Sequence, residues 1–275
     1  MTDERIGHGR IVGFWYGWDV RADISPAPEP DGTGVEPLPD GPDRDDRLAR
    51  LYAWPDPLDT PIVRANMVTS LDGGAALGGR SGGLGNEADR HLFAVLRDLA
   101  EVILVGSGTV RAEQYAGVRL DPVRRARRER WGLPPGPPPI AVVTGRGLDA
   151  GLPLFTDTET PPIVVTPRAA AARVPATADP LLAGDDRIDL AAAIGGLADR
   201  GYRRIHCEGG PSLLGQLADE GLLDECCLTI APLFLGSGAT RLLPTELADP
   251  VSWFPLSLRI GGRHLFARYR RRTET

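Results

Sequence analysis

Three short motifs rich in glycine and hydroxyl residues occur along the chain, each directly after an apolar run. They are Ser70-Leu71-Asp72-Gly73, Gly106-Ser107-Gly108-Thr109 and Glu208-Gly209-Gly210-Pro211-Ser212-Leu213. Small residues at the carboxyl end of a strand allow backbone amides to approach a ligand phosphate closely. Three such motifs in one chain predict a cleft that holds a large phosphorylated cofactor.

The third motif is typical of a pyrophosphate-binding turn. The Gly209-Gly210 pair permits positive φ angles, and Pro211 suits the first turn of a helix because its missing N–H is not needed there. The backbone amides of Ser212, Leu213 and Leu214 are then expected to point outward at a helix N-terminus, where an anion is favoured. A plain strand–turn–helix connection is the alternative interpretation.

The other two motifs allow a similar pair of interpretations. In the second motif Gly106 and Gly108 make the turn, and Thr109 either caps the helix or donates to a phosphate. The motif is neither a Walker A loop nor the GxGxxG fingerprint, since the Gly-Lys-Ser/Thr and the third glycine are absent. The first motif closes a strand, and its Asp72-Gly73 pair is also a common turn sequence.

Polar side chains near these motifs are candidates for substrate contacts. Ser81 lies on a glycine-rich loop, and Arg97 and Arg119 could bind a phosphate with the planar fork of donors of arginine. A single arginine is more often a surface residue, which is the alternative for both. Glu208, at a strand end, could accept hydrogen bonds from a polar ring, transfer a proton, or cap the following turn.

The elements that position these residues follow from hydrophobic periodicity. Strands are predicted at 62–69, 101–105, 140–144, 163–166, 204–208, 226–231, 252–260 and 263–270, with the last two forming an antiparallel hairpin around Gly261-Gly262. Helices are predicted at 86–99, 109–115, 121–130, 188–197 and 212–219. The five arginines of 121–130 favour a solvated helix over a phosphate site. The alternation of strands and helices indicates an α/β protein with one mixed sheet.

The chain is predicted to divide near residue 58. Residues 1–58 are read as an N-terminal arm and a flexible linker, because 25–46 is rich in Pro, Gly and Asp and has few apolar residues. Residues 9–20 carry an aromatic cluster that we expect to dock as a hairpin on the main domain or on a partner subunit; a loosely ordered tail is the alternative. Residues 59–272 form the expected catalytic domain.

Composition limits the classes of function. The net charge of −6 gives no support to binding of nucleic acid or of an acidic membrane surface, and no apolar run approaches the length of a membrane span. The N-terminus lacks a secretory signal, so a cytoplasmic location is expected. Cys207, Cys226 and Cys227 are expected to be reduced core residues. The four histidines show no metal-ligand spacing, so no metal is expected.

Several motifs together resemble a known family. Their order and spacing over roughly residues 55–270 look like the reductase domain of bacterial riboflavin biosynthesis, the RibD C-terminal domain. The resemblance is carried by 64–73, Gly79-Arg80-Ser81, Leu96-Arg97, 105–113 and 208–213. It implies a dihydrofolate-reductase-like fold: a mixed, mostly parallel central sheet flanked by helices, with a C-terminal antiparallel hairpin. It also implies a homodimer, in contact through apolar strands of the second half.

The resemblance implies an activity as well. Members reduce the ribosyl group of 5-amino-6-(5-phosphoribosylamino)uracil to ribityl with NADPH, by hydride transfer to C1′ of the opened sugar. The zinc deaminase domain that is often fused ahead of this reductase is expected to be missing, because no HxE or PCxxC motif occurs. A stand-alone reductase acting on a small phosphorylated heterocycle is therefore expected.

The resemblance also assigns site residues by position. Cofactor contacts are expected from Thr69, Gly106, Gly108, Thr109, Glu113, Thr144, Gly145, Arg146, Gly209, Gly210, Pro211, Ser212, Leu213 and Leu214, with Arg146 as the partner of the 2′-phosphate. Substrate contacts are expected from Ser70, Ser81, Arg97, Arg119 and Glu208. Asp72 and Glu208 are the candidates for proton transfer. Two positions depart from the family: Glu113 replaces an aspartate, and Gly83 replaces an aromatic residue.

Two other functions remain open at this point. One is a dihydrofolate-reductase-like activity on a pterin, which needs no phosphate clamp. The other is a nucleotide-binding interaction module without turnover, in which Trp15-Tyr16-Gly17-Trp18 would form the partner surface.

Overall fold

A computed structural model describes residues 35–76 and 78–272 of the chain. The strands are β1 (Glu36–Pro37), β2 (Ile62–Ser70), β3 (Gly74–Ala76), β4 (Val102–Gly106), β5 (Ile140–Val143), β6 (Ile163–Thr166), β7 (Asp179–Leu182), β8 (Arg204–Cys207), β9 (Glu225–Ala231), β10 (Thr240–Arg241), β11 (Trp253–Gly261) and β12 (His264–Arg271). The helices are α1 (Arg44–Leu51), α2 (Glu87–Asp98), α3 (Ser107–Glu113), α4 (Pro122–Arg130), α5 (Pro153–Thr156), α6 (Leu190–Asp199) and α7 (Pro211–Asp219), with a 3-10 helix at Arg168–Arg173.

A large mixed sheet organises the described residues. Ten strands follow the order β1-β11-β12-β9-β2-β8-β4-β5-β6-β7, and β3 pairs with β10 in a separate two-stranded sheet. Neighbours in the large sheet are parallel except at β11–β12 and β12–β9. The expected mixed, mostly parallel sheet with a C-terminal antiparallel hairpin is confirmed, and the hairpin turns at Gly261-Gly262 as predicted.

Helices cover both faces of the parallel part of the sheet. On one face α6 and α7 bury Leu197 and Leu217 against Val63 of β2 and the strands beside it. On the other face α3 and α5 pack on β4–β6, while α1 and α2 bury Leu48 and Leu92 against β9 and β12. Strands β4, β5 and β6 are buried on both faces and are almost entirely apolar, which is why continuous apolar runs identified them correctly.

The compact unit begins at Val35, earlier than the boundary near residue 58 that the sequence predicts. Strand β1 pairs with β11, and Tyr52 and Trp54 after α1 are buried in the core. The indole N–H of Trp54 donates to the Leu99 carbonyl at 2.8 Å. The composition of this segment is polar because only a few of its side chains face inward. The aromatic cluster at 9–20 lies outside the described residues.

Helix α4 is not simply a solvated helix as expected. Arg128 is 1% exposed, and its guanidinium donates to the backbone carbonyls of Asp98, Ala100 and Pro134 at 2.6–2.9 Å. The carbonyls at the end of α2 have no partner within that helix, and a buried arginine satisfies them. Arg128 therefore fastens α4 to the end of α2.

Two of the three cysteines, Cys207 and Cys227, lie in the core as expected, and Cys226 is half-buried. Cys207, Cys226 and Cys227 lie in β8 and β9 as free thiols, and burial raises the pKa of Cys207 to about 12. Among residues 35–76 and 78–272, no helix combines the length and apolarity that crossing a bilayer requires.

Candidate active site

The carboxyl ends of β2, β4, β5 and β8 lie at the same edge of the sheet, because these strands run parallel. A cleft of about 850 Å³ opens there, beside α2, α3 and α7. Its volume is in the range typical of cofactor and ligand sites. The predicted site residues that line it are Ser81, Arg97, Gly106, Gly108, Thr109, Glu113, Thr144, Gly145, Glu208, Gly210, Pro211, Ser212 and Leu213.

Two helices begin at this cleft without a side-chain cap. Helix α3 follows Gly106 and α7 follows Gly210, and neither capping residue carries a side chain that could satisfy the first amides. The Gly106 N–H donates to the Gly209 carbonyl at 2.7 Å, so the second and third motifs are in direct contact. Because neither helix start has a side-chain cap, their first backbone N–H groups and the positive ends of their dipoles are available to bind an anion in the cleft.

The turn before α7 has the backbone that its glycines predict. Gly209 has a φ of +73°, and its peptide bond to Gly210 is cis. A Cβ at Gly210 would lie 2.5 Å from the Thr109 hydroxyl oxygen, so only glycine fits at this position without displacing Thr109. The expectation that the Leu214 amide points outward to an anion is wrong, because its N–H donates to the Gly210 carbonyl at 2.9 Å inside the helix. Only the amides of Ser212 and Leu213 therefore remain for a ligand.

Glu208 is held by charged and polar neighbours at the end of β8. Arg97 on α2 donates from Nε and Nη2 to its two carboxylate oxygens at 2.6 and 2.7 Å, and the Tyr115 hydroxyl donates to Oε2 at 2.6 Å. Burial alone would raise the pKa of Glu208, but the Arg97 guanidinium outweighs burial and lowers it. Glu208 is therefore a carboxylate at neutral pH and holds no proton to donate.

The Arg97 guanidinium already has several partners within the chain. Its guanidinium stacks over the Phe93 ring at 4.4 Å and approaches the Tyr115 ring at 5.4 Å, in addition to its ion pair with Glu208. A substrate phosphate at Arg97 has to compete with a buried carboxylate, so Arg97 is not the free phosphate clamp that the sequence predicts.

His206 lies directly beneath Glu208 and is fully buried. Its Nε2 is 3.6 Å from Glu208 Oε1, and within the described part of the chain neither ring nitrogen has a hydrogen-bond partner. Burial lowers the pKa of His206 to about 4, although the Glu208 carboxylate opposes this shift. The imidazole is neutral at neutral pH.

The first motif has a structural role in the geometry observed. The Asp72 carboxylate accepts from the backbone amides of Leu235 and Gly236 at 2.7–3.2 Å and contacts the Ser70 hydroxyl. The Ser70 hydroxyl and these amides lower the pKa of Asp72 to about 2. The Ser70 Oγ accepts from the Gly74 N–H at 2.8 Å, and the Thr69 hydroxyl donates to nearby backbone carbonyls. None of Thr69, Ser70 and Asp72 lines the cleft, so Asp72 is badly placed to deliver a proton.

The two remaining arginines lie outside the cleft lining. Arg119 is exposed and pairs with Asp157, and the structure does not bring it to the substrate side. Arg146 is exposed, and its N–H donates to the Thr144 hydroxyl at 3.3 Å. Its neighbour Gly145 lines the cleft, so Arg146 lies at the rim. Glu113 does line the cleft and accepts from the Ser81 amide and hydroxyl at 2.9 and 3.0 Å.

Several side chains that line the cleft were not predicted from the sequence, among them Asn66, Asp89, Phe93 and Tyr115. A signal for two of them was present, since Asp89, Phe93 and Arg97 recur every four residues and share one face of α2. Tyr115 follows the end of α3, where nothing in the sequence predicts its contact with Glu208. Together these side chains form an aromatic wall of the cleft that also carries several hydrogen-bond acceptors.

Comparisons with known proteins find related sequences. Residues 61–260 match the RibD C-terminal domain family. The chain is 27% identical over 180 residues to the 2,5-diamino-6-ribosylamino-4(3H)-pyrimidinone 5′-phosphate reductase of Archaeoglobus fulgidus, covering 64% of this chain and 82% of that protein. It is 30% identical over 202 residues to the enzyme of the same name from Methanothermobacter thermautotrophicus, covering 70% of this chain and 89% of that protein.

A solved structure is similar as well. The crystal structure of a pyrimidine reductase-like protein from Corynebacterium diphtheriae matches with a TM-score of 0.70 and 25% identity, over 82% of this chain and 99% of that one. The similarity therefore spans the sheet and the helices that surround the cleft.

Proposed function

The chain belongs to the RibD C-terminal domain family, and on this premise we propose that it converts the ribosyl group of a 5-amino-6-(5-phosphoribosylamino)pyrimidine to ribityl with NADPH. The substrate expected from the sequence is 5-amino-6-(5-phosphoribosylamino)uracil. The single observation that carries the proposal is the cleft at the carboxyl edge of the sheet. It combines two uncapped helix starts on one side with Phe93 and the Arg97–Glu208 pair on another.

The residues present fit a nicotinamide dinucleotide. Gly108 and Gly145 line the cleft with no atom within 4 Å of the position that a Cβ would occupy, so a ligand can approach the backbone there. The amides of Ser212 and Leu213 would hold the pyrophosphate at the start of α7. Arg146 at the rim would bind the 2′-phosphate that distinguishes NADPH from NADH. NADPH, when bound, supplies a hydride.

The chain itself would position the heterocycle, with aromatic and charged side chains around the ring. Phe93 offers an aromatic surface on α2, and the Arg97–Glu208–Tyr115 cluster closes the cleft behind it. Holding the sugar C1′ against the hydride donor is the main contribution expected of the protein. Reduction of the opened ribosylamine adds a hydride at C1′ and a proton at the attached nitrogen. Because Asp72 and Glu208 are ionised at neutral pH, we assign this proton to water in the cleft.

The test is a turnover assay with the full chain, NADPH and the ribosylaminopyrimidine phosphate. We expect the near-ultraviolet absorbance of the reduced nicotinamide to decay, and mass spectrometry to find a product that has gained two hydrogen atoms. A reaction without protein is the control. NADPH binding without oxidation, with a folded chain and both the uracil and the diaminopyrimidinone substrates, would contradict the proposal and favour a non-catalytic nucleotide-binding module.

A dihydropterin reductase is the second candidate, and the Arg97–Glu208 pair is the observation that favours it. A pterin carries no ribose phosphate, so it does not need Arg97 free or Arg119 in the cleft. Oxidation of NADPH with a dihydropterin but not with either ribosylaminopyrimidine phosphate would select this candidate over the first.

We also propose that two copies of the chain form a homodimer through the C-terminal strands. Leu256, Leu258 and Ile260 of β11 are 39–45% exposed, and Leu228 and Ile230 of β9 are half-buried. Leu258 and Ile260 pair with Ala267 and Leu265, which in turn pair with Leu228 and Ile230, so these side chains share one face of the sheet. An apolar face of this kind is a typical interaction surface, and a second copy offers the same apolar face.

A further inference from the structure

Two hydrogen-bond acceptors in the cleft, Asp89 and Asn66, have no role in the account above. Asp89 lies in the first turn of α2, four residues before Phe93 and eight before Arg97, and all three side chains line the cleft. Asn66 lines the same cleft from β2. An acid, an aromatic ring and the Arg97–Glu208 pair therefore follow one another along the α2 side of the site.

The start of α2 is fixed by a hydrogen-bonded network. Asn86 caps the helix by accepting from the Asp89 N–H at 2.9 Å, and its side-chain amide donates to the Gly261 carbonyl at 2.8 Å. His264 accepts from the same amide at 2.9 Å and donates from Nε2 to the Leu84 carbonyl at 2.8 Å. Residues from two distant parts of the chain thus hold the backbone of Asp89 in place.

The side chain of Asp89 has room because its neighbour is a glycine. A Cβ at Gly85 would overlap the Asp89 Oδ2 atom. Burial raises the pKa of Asp89, while the Thr229 hydroxyl and the Arg90 guanidinium oppose the shift. Within residues 35–76 and 78–272 Asp89 forms no ion pair, in contrast to Glu208. A partly buried carboxyl without a cationic partner needs donors from elsewhere.

Asn66 gives an independent indication of a ligand. Its neighbours Ala65 and Met67 pack toward α6 and α7, so alternation along β2 directs Asn66 to the opposite side, toward α2. Asn66 is 9% exposed, and its side-chain carbonyl oxygen has no hydrogen-bond partner in the described part of the chain. Buried acceptors are nearly always satisfied, so a donor from a ligand is expected here.

The chemistry of these acceptors selects one kind of ring edge. A 2-amino-4-oxopyrimidine presents an exocyclic amino N–H and the adjacent ring N–H in the same direction, and this pair matches the two oxygens of a carboxylate. A uracil has a carbonyl in place of the amino group and would direct an acceptor at the Asp89 carboxylate. A site built to accept hydrogen bonds rejects such an analogue strongly, because buried groups are left unpaired.

We propose that Asp89, with Asn66, forms the subsite that binds the 2-amino-4-oxo edge of the substrate ring and discriminates against the 2,4-dioxo ring of a uracil. This inference rests on the proposed function for the position of the heterocycle. Two substrates share the edge: a ribosylated diaminopyrimidinone phosphate and a dihydropterin. The subsite recognises either, and separate measurements distinguish them.

The kinetic test compares two substrates that differ only at C2 of the ring. We expect the native chain to show a kcat/KM about 10- to 100-fold higher for 2,5-diamino-6-ribosylamino-4(3H)-pyrimidinone 5′-phosphate than for its uracil counterpart. Asp89→Asn keeps the shape of the side chain but directs a donor at the amino group, and it should remove this preference. Glu87→Gln, an exposed acid on the same helix, should leave the preference unchanged. An equal loss with both substrates in Asp89→Asn would overturn the proposal.

A binding test separates this inference from the proposed function. Pterin and lumazine differ by the same amino-to-oxo exchange, and their intrinsic fluorescence reports binding in the presence of NADPH without any turnover. We expect the native chain to bind pterin more tightly than lumazine, by about 10-fold or more, and Asp89→Asn to lose the difference. Asp89-dependent pterin binding without reduction of either ribosylated substrate would refute the proposed reaction and keep the subsite. Equal affinity for the two pteridines would refute the subsite, whichever reaction the chain catalyses.

Discussion

Arg97 and Glu208 form a two-point ion pair, with Nε–Oε1 and Nη2–Oε2 distances of 2.6 and 2.7 Å. The pair joins the last turn of α2, the longest helix in the described part of the chain, to the end of β8, where the turn toward α7 begins. It therefore connects the substrate side of the cleft with the side that we assign to the cofactor. The Glu208 side chain is 2% exposed and that of Arg97 is 19% exposed, so solvent screens the pair little.

Removing one partner of this pair should destabilise the fold strongly. We expect Arg97→Met to lower the free energy of unfolding by about 3–5 kcal/mol, because it leaves a buried carboxylate without its counter-charge. The double variant Arg97→Met/Glu208→Gln should lose less than the sum of the single variants. Urea denaturation measures both.

A surface pair supplies the control for this prediction. Arg125 pairs with Glu159 at 2.5 Å, with both side chains 35% exposed. Arg125→Met should change the free energy of unfolding by no more than about 1 kcal/mol. If Arg97→Met and Arg125→Met lower the free energy of unfolding by similar amounts, burial of the Arg97–Glu208 pair does not stabilise the fold as proposed.

His206 should make the fold sensitive to acid. Burial lowers its pKa from 6.5 to about 4, so between these values the unfolded chain binds a proton that the folded chain does not. Stability is therefore retained above pH 6.5 and lost as the pH falls toward 4. Between pH 6.5 and pH 5 the loss from this residue is about 2 kcal/mol, at about 1.4 kcal/mol per pH unit.

The measurement for His206 is the free energy of unfolding at pH 7 and pH 5. His206→Leu should show a smaller decrease between these values than the native chain. His91→Gln is the control, since the His91 side chain is 23% exposed whereas His206 is fully buried. If His206→Leu and the native chain lose stability in parallel, the imidazole is not held neutral.

Gly108 should affect stability and cofactor binding in opposite directions. It lies in the first turn of α3 with no atom within 4 Å of a Cβ position, and it lines the cleft. Gly108→Ala should raise the free energy of unfolding by up to about 1 kcal/mol through helix propensity. It should also weaken NADPH binding several-fold, because the added methyl group occupies space next to the cofactor.

Gly195 is the matched control for this substitution. It lies within α6, is exposed, and likewise has no atom within 4 Å of a Cβ position, but it does not line the cleft. Gly195→Ala should stabilise the chain and leave the dissociation constant of NADPH unchanged. Thermal unfolding and equilibrium titration with NADPH measure both effects in the two variants. Unchanged NADPH binding in Gly108→Ala would contradict a cofactor position beside α3.

Arg146 should distinguish the two nicotinamide coenzymes. We expect Arg146→Ala to weaken NADPH binding about 10-fold and to leave NADH binding unchanged, because only NADPH carries the 2′-phosphate that the guanidinium would bind. Arg168→Ala, at another exposed arginine after a neighbouring strand, is the control. Calorimetric titration of both coenzymes measures the effect. Equal losses for NADPH and NADH would refute the assignment.

The apolar face of the C-terminal strands should control the oligomeric state. Leu258→Glu places a charge in the proposed interface and should convert a dimer into monomers in sedimentation velocity. Val123 on α4 is 70% exposed on another surface, so Val123→Glu should leave the sedimentation coefficient unchanged. A native chain that already sediments as a monomer would contradict the interface.

The sequence predicted the central strands because their physical signal is local. A parallel strand buried on both faces tends to be a continuous apolar run, and the strands predicted at 140–144 and 163–166 are observed at Ile140–Val143 and Ile163–Thr166. The short elements β1 and β3 have too few residues to show a period. Helix α1 was missed because its sequence is mostly charged and only Leu48 and Ala49 are buried.

The local backbone of the candidate site follows from the sequence, whereas the partners of its ionisable side chains do not. Glycines and Pro211 fix the start of α7 through neighbouring residues alone. In contrast, Asp72 is bound to an amide 163 residues away, and Arg119 to a carboxylate 38 residues away. Such long-range pairs decide which ionisable side chain remains free for a ligand, and a motif read along the chain does not contain them.

The most direct test of the account is a calorimetric titration of the full, folded chain with NADPH, because the whole interpretation of the cleft depends on this ligand. We expect saturable binding at one site per chain, weakened in Gly108→Ala and unchanged in Gly195→Ala. Absence of binding heat with NADPH and with NADH at several temperatures would contradict it.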